Sequence, residues 1–231
     1  MRLLFVASSP LEFRGVLRIL DGRSKAAVPI EWSRRGTLNG HEVLLAANGV
    51  GGRRAAAAVD AAYEPFRPQA IISTGFCGAV DPELVVAEAI VGTCVAAPDR
   101  RYPALPVSGQ TGCRMGMIWS IDHVAGTAAE KRAWRAQGAS AVEMEAAGVA
   151  GRAAVLELPF YCIRAVTDVA SEDLANDFNA ALRTGGHFDT MHIFWHALRH
   201  PVARVPELIR LRQNCDRAAR TLGDFFANCR F

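Results

Sequence analysis

The feature that most constrains this chain is a series of short apolar runs. Each breaks into glycine or an acid and most hand over to a helix-like stretch. "LLFVA" (3–7) precedes "LEFRGVLRIL" (11–20), whose apolar residues fall at helical spacing. "EVLLAANGVGG" (42–52) leads into the alanine-rich "RRAAAAVDAAYEPF" (53–66). "AIISTGFCGAV" (70–80) and "AIVGTCVAA" (89–97) are further strand candidates, and "AAEKRAWRA" (128–136) reads as a helix. "SAVEME" (140–145) passes into the helix "AAGVAGRAAVLE" (146–157), and "PFYCIRAVTDVA" (159–170) is the last strong strand. Near-continuous apolar strands separated by helices belong to a sheet buried on both faces. The expected fold is therefore α/β, with three α/β/α layers around a central, mostly parallel twisted sheet. That domain is expected over residues 1–189, with a basic helical C-terminal extension over 190–231.

A chain of 231 residues suits one large α/β domain, or two small ones at most. No apolar run reaches the roughly 20 residues that a membrane-spanning helix needs. The apolar part of "MRLLFVASS" is too short for a signal-peptide core and reads as a first strand. Cys77, Cys94, Cys113, Cys162, Cys215 and Cys229 form no CxxC pair and no zinc spacing. Reduced thiols, a cytoplasmic location and no metal are the expectation. A net charge of +3 is too small for nucleic acid to be the main partner. Of 26 basic residues only Lys25 and Lys131 are lysines, and arginine is spread over the whole chain.

The tail from Thr190 reads as a proline-punctuated pair of helices. Beyond His196 it carries Arg199, Arg204, Arg210, Arg212, Arg217, Arg220 and Arg230 against Glu207, Asp216 and Asp224. Val205, Leu208, Ile209, Leu211 and Leu222 outline an apolar face. Such a face either packs on the domain or its partner, or forms a basic amphipathic surface for a membrane.

Two glycine turns, "NGVGG" (48–52) and "TGFCG" (74–78), follow strands and let the backbone approach a ligand. Neither carries the lysine of a phosphate loop, and neither has the dinucleotide fingerprint. Acids fall at the same expected sheet edge: Glu12 after the first strand, Glu145 after the fifth and Asp168 after the sixth. In open α/β sheets that carboxyl edge is where ligands bind. Three acids there suit an acid for a leaving group, a base for water and a grip on hydroxyls. Glu143 shares the side of Glu145 on an extended strand, and does not on a helix.

"SAVEMEAAGVA" followed by "PFYCIRAVTDVA" resembles the purine nucleoside phosphorylase / methylthioadenosine–adenosylhomocysteine nucleosidase superfamily, where V-E-M-E-A and R-A-x-[ST]-D motifs recur at this separation. "LLAANGVGGRRAAAA", "QAIISTGFCGAVDPEL" and "FVASSPLEF" are similar to further segments of that superfamily, so that the resemblance covers about residues 1–180. It implies a nucleoside phosphorylase-like fold and cleavage of the C1′–N9 bond of a purine nucleoside, with no cofactor. Asp168 would protonate or hydrogen-bond the purine N7, and Glu145 would accept from the ribose hydroxyls. Met144 would pack against the sugar, and Glu12 would orient or deprotonate water. Glu143, Gly75, Phe76, Cys77, Gly78, His123, Val124 and Thr167 complete the expected substrate set. Asp168 then needs to hold a proton near neutral pH, through burial or a like charge.

Phosphorylases of the superfamily hold phosphate with arginines and a serine. Here Ser73 and Phe76 stand at two of those positions and Glu12 at a third. A carboxylate repels phosphate, so hydrolysis is favoured. Arg14, Arg53 and Arg54 are the candidates that would rebuild a phosphate site and make phosphate a cosubstrate. Phe76 also narrows or rearranges the sugar end. The purine-stacking phenylalanine is missing, and Asp122, His123 and Val124 stand near its place. The tail segment 196–222 resembles the hopanoid-associated branch, which would imply a lipid-linked nucleoside at the inner membrane surface. The superfamily also implies a homodimer or larger oligomer. The alternatives are a phosphorylase, a nucleoside-binding protein without turnover, or a membrane-docking protein.

Overall fold

The computed structural model describes residues 1–109, 113–183, 185–187 and 201–231. The chain starts with β1 (Arg2–Ala7), whose period-two pattern sends Leu4 and Val6 to one face and Leu3 and Phe5 to the other. Then come α1 (Arg14–Ile19), β2 (Asp21–Lys25), β3 (Trp32–Leu38), β4 (His41–Ala47) and α2 (Gly52–Phe66). The middle holds β5 (Ala70–Ala79), β6 (Ala89–Ala97), β7 (Arg100–Pro103) and β8 (Arg114–Ser120). α3 (Ala128–Ala136), β9 (Ala139–Glu143), α4 (Ala146–Val155) and β10 (Phe160–Asp168) follow. A short α5 (Phe178–Ala181) and the long α6 (Pro201–Ala227) complete the described elements.

Three layers are present, as expected. α2 and α4 cover one face of the sheet through Ala55, Ala58, Val59, Val149 and Ala150. α1 and α6 cover the other through Val16, Leu222, Phe225 and Phe226. The expectation of a mostly parallel sheet is corrected. β1 runs parallel to β4 and β5, and β5 to β10, but β2, β3 and β4 form an antiparallel meander. β5 is antiparallel to β9, β9 and β8 are parallel, β8 and β6 are parallel, and β6 is antiparallel to β10. Since β10 returns to β5, those five strands close on themselves. Closure buries both faces of a strand whichever way it runs, so an apolar run reports burial and not direction. β8 is a strand that the apolar pattern hides, because its first residues, Arg114 and Met115, are exposed. "SAVEME" ends as a strand at Glu143, two residues earlier than its pattern suggests.

In the tail, residues 201–227 form one helix with Pro206 inside it, in place of a pair. The N-terminal part of the expected pair, residues 190–200 with His196 and Arg199, lies outside the described residues. The buried stripe of α6 runs through Glu207, Asn214, Ala218, Ala219, Leu222, Phe225 and Phe226, while Ile209 of the expected apolar face is exposed. Phe226 meets Phe5 of β1 edge to face at 5.0 Å between ring centroids. Arg14 of α1 pairs with Asp216 of α6 at 2.7 Å. The helix is thus packed on the fold. Among the described residues no helix is long and apolar enough to cross a membrane.

Candidate active site

The carboxyl ends of β1, β4, β5, β9 and β10 meet around a cavity of about 220 Å³. Glu12, Phe76, Cys77 and Gly78 line it from one side, and Glu143, Met144 and Glu145 from another. His123, Val124, Thr167 and Asp168 close it. Of the expected site residues only Gly75 is not in that lining. Its φ of +138° favours glycine, and a Cβ there would stand 2.3 Å from Glu12 Oε1. Gly75 therefore makes room for the catalytic-base candidate. Ser8, Val50 and Ile121 also line the cavity and were not expected.

Glu12 is buried and immobilised by four donors. Its Oε2 accepts from the Ser8 N–H at 2.8 Å, the Ser8 hydroxyl at 2.7 Å and the Ser9 N–H at 2.8 Å. Its Oε1 accepts from the Phe76 N–H at 2.9 Å. Phe76 thus serves Glu12 through its backbone, while its ring packs toward the cluster that holds Phe13 and Ile72.

Glu143 closes β9 and faces Arg164 of β10, both of them buried. It also accepts the hydroxyl of Ser120 and the N–H groups of Glu145 (2.9 Å) and Ala146 (2.8 Å). A carboxylate at the first turn of α4 satisfies donors that the helix leaves open. Arg164 Nη2 donates to Ser73 Oγ at 2.8 Å, so the serine at the expected phosphate position instead supports a buried arginine. Glu143 is accordingly bound into structure.

Glu145 sits at the N-cap of α4, and its Oε1 accepts from Gly51 N–H at 2.9 Å. Burial, with repulsion from Glu143 and Glu12 that outruns attraction to Arg164, raises its pKa to about 8. In the free site this carboxyl is mostly protonated at neutral pH.

Asp168 ends β10. Its Oδ1 accepts from the Thr167 hydroxyl at 2.9 Å, and its Oδ2 meets Lys131 Nζ of α3 at 2.6 Å. Burial or a like charge was expected to keep a proton on Asp168; its charged contact is instead a wholly buried ammonium. Lys131 was visible in the sequence only as one of two lysines. Behind Asp168, Asn214 of α6 donates to the Thr167 carbonyl at 2.9 Å, and Glu207 accepts from the Ala175 and Asn176 N–H groups.

His123 is held between Asp122 at 2.7 Å and Glu130 at 2.5 Å. The bond to Asp122 and then that to Glu130 raise its pKa. A raised pKa means that the tether is complete below the unfolded value of about 6.5 and fades as pH rises through the folded one. The gap in melting temperature between wild type and His123→Ala is expected to be widest near pH 6, by the ordinary histidine value, and to narrow above neutrality. A gap equal at about pH 6 and 9 would remove the ionic tether.

Beyond Val50, Ile121, His123 and Met144 the cavity adjoins a chamber of about 820 Å³, lined by Arg53, Arg54, Trp119, Asp122 and Trp134 among others. Arg54 is engaged with Glu31 at 2.8 Å and Arg14 with Asp216, and neither they nor Arg53 line the smaller cavity.

Acids from several elements thus converge on one cavity of a three-layer α/β fold. The sequence matches the Phosphorylase superfamily over residues 33–110 and 109–186, more than half of the chain, and the protein belongs to that superfamily. It is 27% identical over 176 residues to the 5′-methylthioadenosine/S-adenosylhomocysteine nucleosidase of Staphylococcus aureus strain JH9, covering 64% of this chain and 77% of that protein. The structure of the Streptococcus pneumoniae MTA/SAH nucleosidase in complex with 8-aminoadenine superposes with a TM-score of 0.74 at 21% identity, covering 99% of this chain and 100% of that one. The Helicobacter pylori nucleosidase with butyl-thio-DADMe-Immucillin-A gives 0.71 at 16% identity, with 97% of each chain covered. At such identities the two structures establish the fold.

Proposed function

We propose that this protein hydrolyses the C1′–N9 bond of an adenosine-type nucleoside with a modified 5′ end and releases the free base. The observation that carries the reading is the convergence of Glu12, Glu145 and Asp168 on one cavity whose described lining holds no arginine or lysine. Such a site attracts a developing cation and offers phosphate no grip. The similarity to nucleosidases of the superfamily supports the same choice.

The roles follow from position. C1′ becomes oxocarbenium-like as the base departs. Glu12, with both oxygens fixed, accepts a proton from the attacking water. Glu145 lies where the vicinal ribose hydroxyls can bond to it, and Met144 lies against the sugar. Asp168 delivers a proton to N7, so that the base leaves as a neutral purine. The 820 Å³ chamber next to Met144 and Val50 supports an enlarged 5′ end.

The test is release of free base from adenosine, 5′-methylthioadenosine and a longer 5′-alkylthio analogue, with and without phosphate. Release independent of phosphate is expected, and phosphate dependence would overturn the choice of nucleophile. Asp168→Asn should lower turnover by about 10²–10⁴, the range for a lost general acid, and should also lower the melting temperature, because the buried Lys131 ammonium loses its counter-charge. An active Asp168→Asn protein would sink that assignment.

A further inference from the structure

Lys131 is the residue near the site that the roles above leave unused. It lies on α3, outside the cavity lining, and its side chain is completely buried. Burying an ammonium is strongly unfavourable unless its charge and its donors are all matched. Here they are. Nζ donates to Asp168 Oδ2 at 2.6 Å, to the Val169 carbonyl at 2.8 Å and to the Glu172 carbonyl at 3.3 Å. Three N–H bonds therefore go to one carboxylate oxygen and to two carbonyls of the turn that follows it. α3 itself is set by Thr127, whose hydroxyl accepts the Glu130 N–H at 3.1 Å, which fixes where Lys131 emerges.

From this geometry we propose that Lys131 is the positioning residue for proton transfer to the leaving base. It rests on the nucleosidase reading and deepens it. By occupying Oδ2 it leaves Oδ1, steadied by the Thr167 hydroxyl, as the oxygen that serves the base. It also acts on the energy of the transfer. When the C1′–N9 electron pair passes to the purine, the Asp168 O–H bond breaks and its proton forms the N7–H bond. The carboxylate left behind is born against a fixed, fully buried ammonium. A preorganised charge that meets a new charge without rearrangement stabilises the transition state more than the ground state. Lys131 keeps all its protons throughout, and Asp168 regains its own from solvent through its 14% exposed side chain.

Lys131→Met, nearly the same length without charge, isolates this role. The expected result is a fall in kcat of about 10²-fold, the lower end for a general acid, with KM within about threefold. A second reading separates this from loosened structure. Wild type should bind adenine more tightly than 7-deazaadenine, which lacks the N7 acceptor, by calorimetry. In Lys131→Met that preference should collapse toward one. Lys131→Gln restores one donor without the charge and should recover part of both losses. It decides the matter on the same two measurements should the methionine variant not fold. Unchanged kcat, or an equal weakening of both bases with the preference intact, overturns the role of Lys131. A wild-type protein that releases base yet binds adenine and 7-deazaadenine equally overturns the N7 contact and this proposal together. No release at all fails the nucleosidase reading instead.

Discussion

Glu145→Gln should make the free protein more stable at about pH 8 and above, and less active there. The carboxyl has a pKa of about 8 in the fold, against about 4.5 when unfolded, with burial as the first cause and the neighbouring Glu143 and Glu12 next. A raised value means that the folded state holds a proton that the unfolded state has lost. Stability from this group is therefore complete below about pH 4.5 and declines as pH rises toward 8. Over that window each unit of pH removes about 1.4 kcal/mol of stability. Glutamine keeps the shape and the oxygen that accepts from Gly51, and never ionises. The variant should melt several degrees above wild type at about pH 8, at roughly 2–4 °C per kcal/mol for a chain of this size. The advantage should shrink severalfold by about pH 5. Where Glu145 ionises, activity should move the other way, because a neutral amide stabilises an oxocarbenium ion less than a carboxylate does. Functional groups held at a cost to stability are common in active sites. A variant with the wild-type pH dependence of melting would show that Glu145 is not the strained group.

The second large effect concerns α6. Leu222, Phe225 and Phe226 are buried against β1 and α1, and the Asn39 amide fastens the end of the helix through the Phe226 and Cys229 carbonyls at 2.8 and 3.1 Å. Each such side chain contributes about 1.5–3 kcal/mol by burial, so the three together rival the roughly 5–15 kcal/mol that holds a domain folded. A chain ended at residue 200 should therefore lose its cooperative melting transition and its activity. Phe226→Ala, milder, should cost about 3–5 kcal/mol. A shortened chain that melts cooperatively near the wild-type temperature would contradict this account of the helix.

Much of the site was legible because acids at the ends of apolar runs are conspicuous. Glu12, Glu145 and Asp168 stand out in "SPLEF", "VEMEA" and "AVTDV", and the structure brings them to one cavity. Their partners were not legible. Arg164 lies inside a strand run whose apolar neighbours conceal it, and its carboxylate, Glu143, is 21 positions away on another strand. Lys131 sits in "AEKRAW", which reads simply as a helix, and only the fold shows that this position turns inward to Asp168. The direction of the strands was hidden for a similar reason: apolar runs carry no record of which neighbour pairs with them. The helix that begins at Ala146 was legible, and so was the packing of its small residues on the sheet, but not their contact with α2. A Cβ on Gly148 would come 2.0 Å from the Gly52 carbonyl oxygen, so they admit α2 as well as the sheet.

Closure of the five strands has one more outcome, for how this protein meets copies of itself. A sheet recruits further strands at its borders, and among the described residues β2 and β7 each pair on one side only. β2 is exposed along its length and carries Asp21, Arg23 and Lys25. β7 carries Arg100 and Arg101 and ends in Pro103, which has no N–H to give. Charge and proline at a border oppose the docking of another chain. Strand-by-strand aggregation is thus disfavoured at both borders.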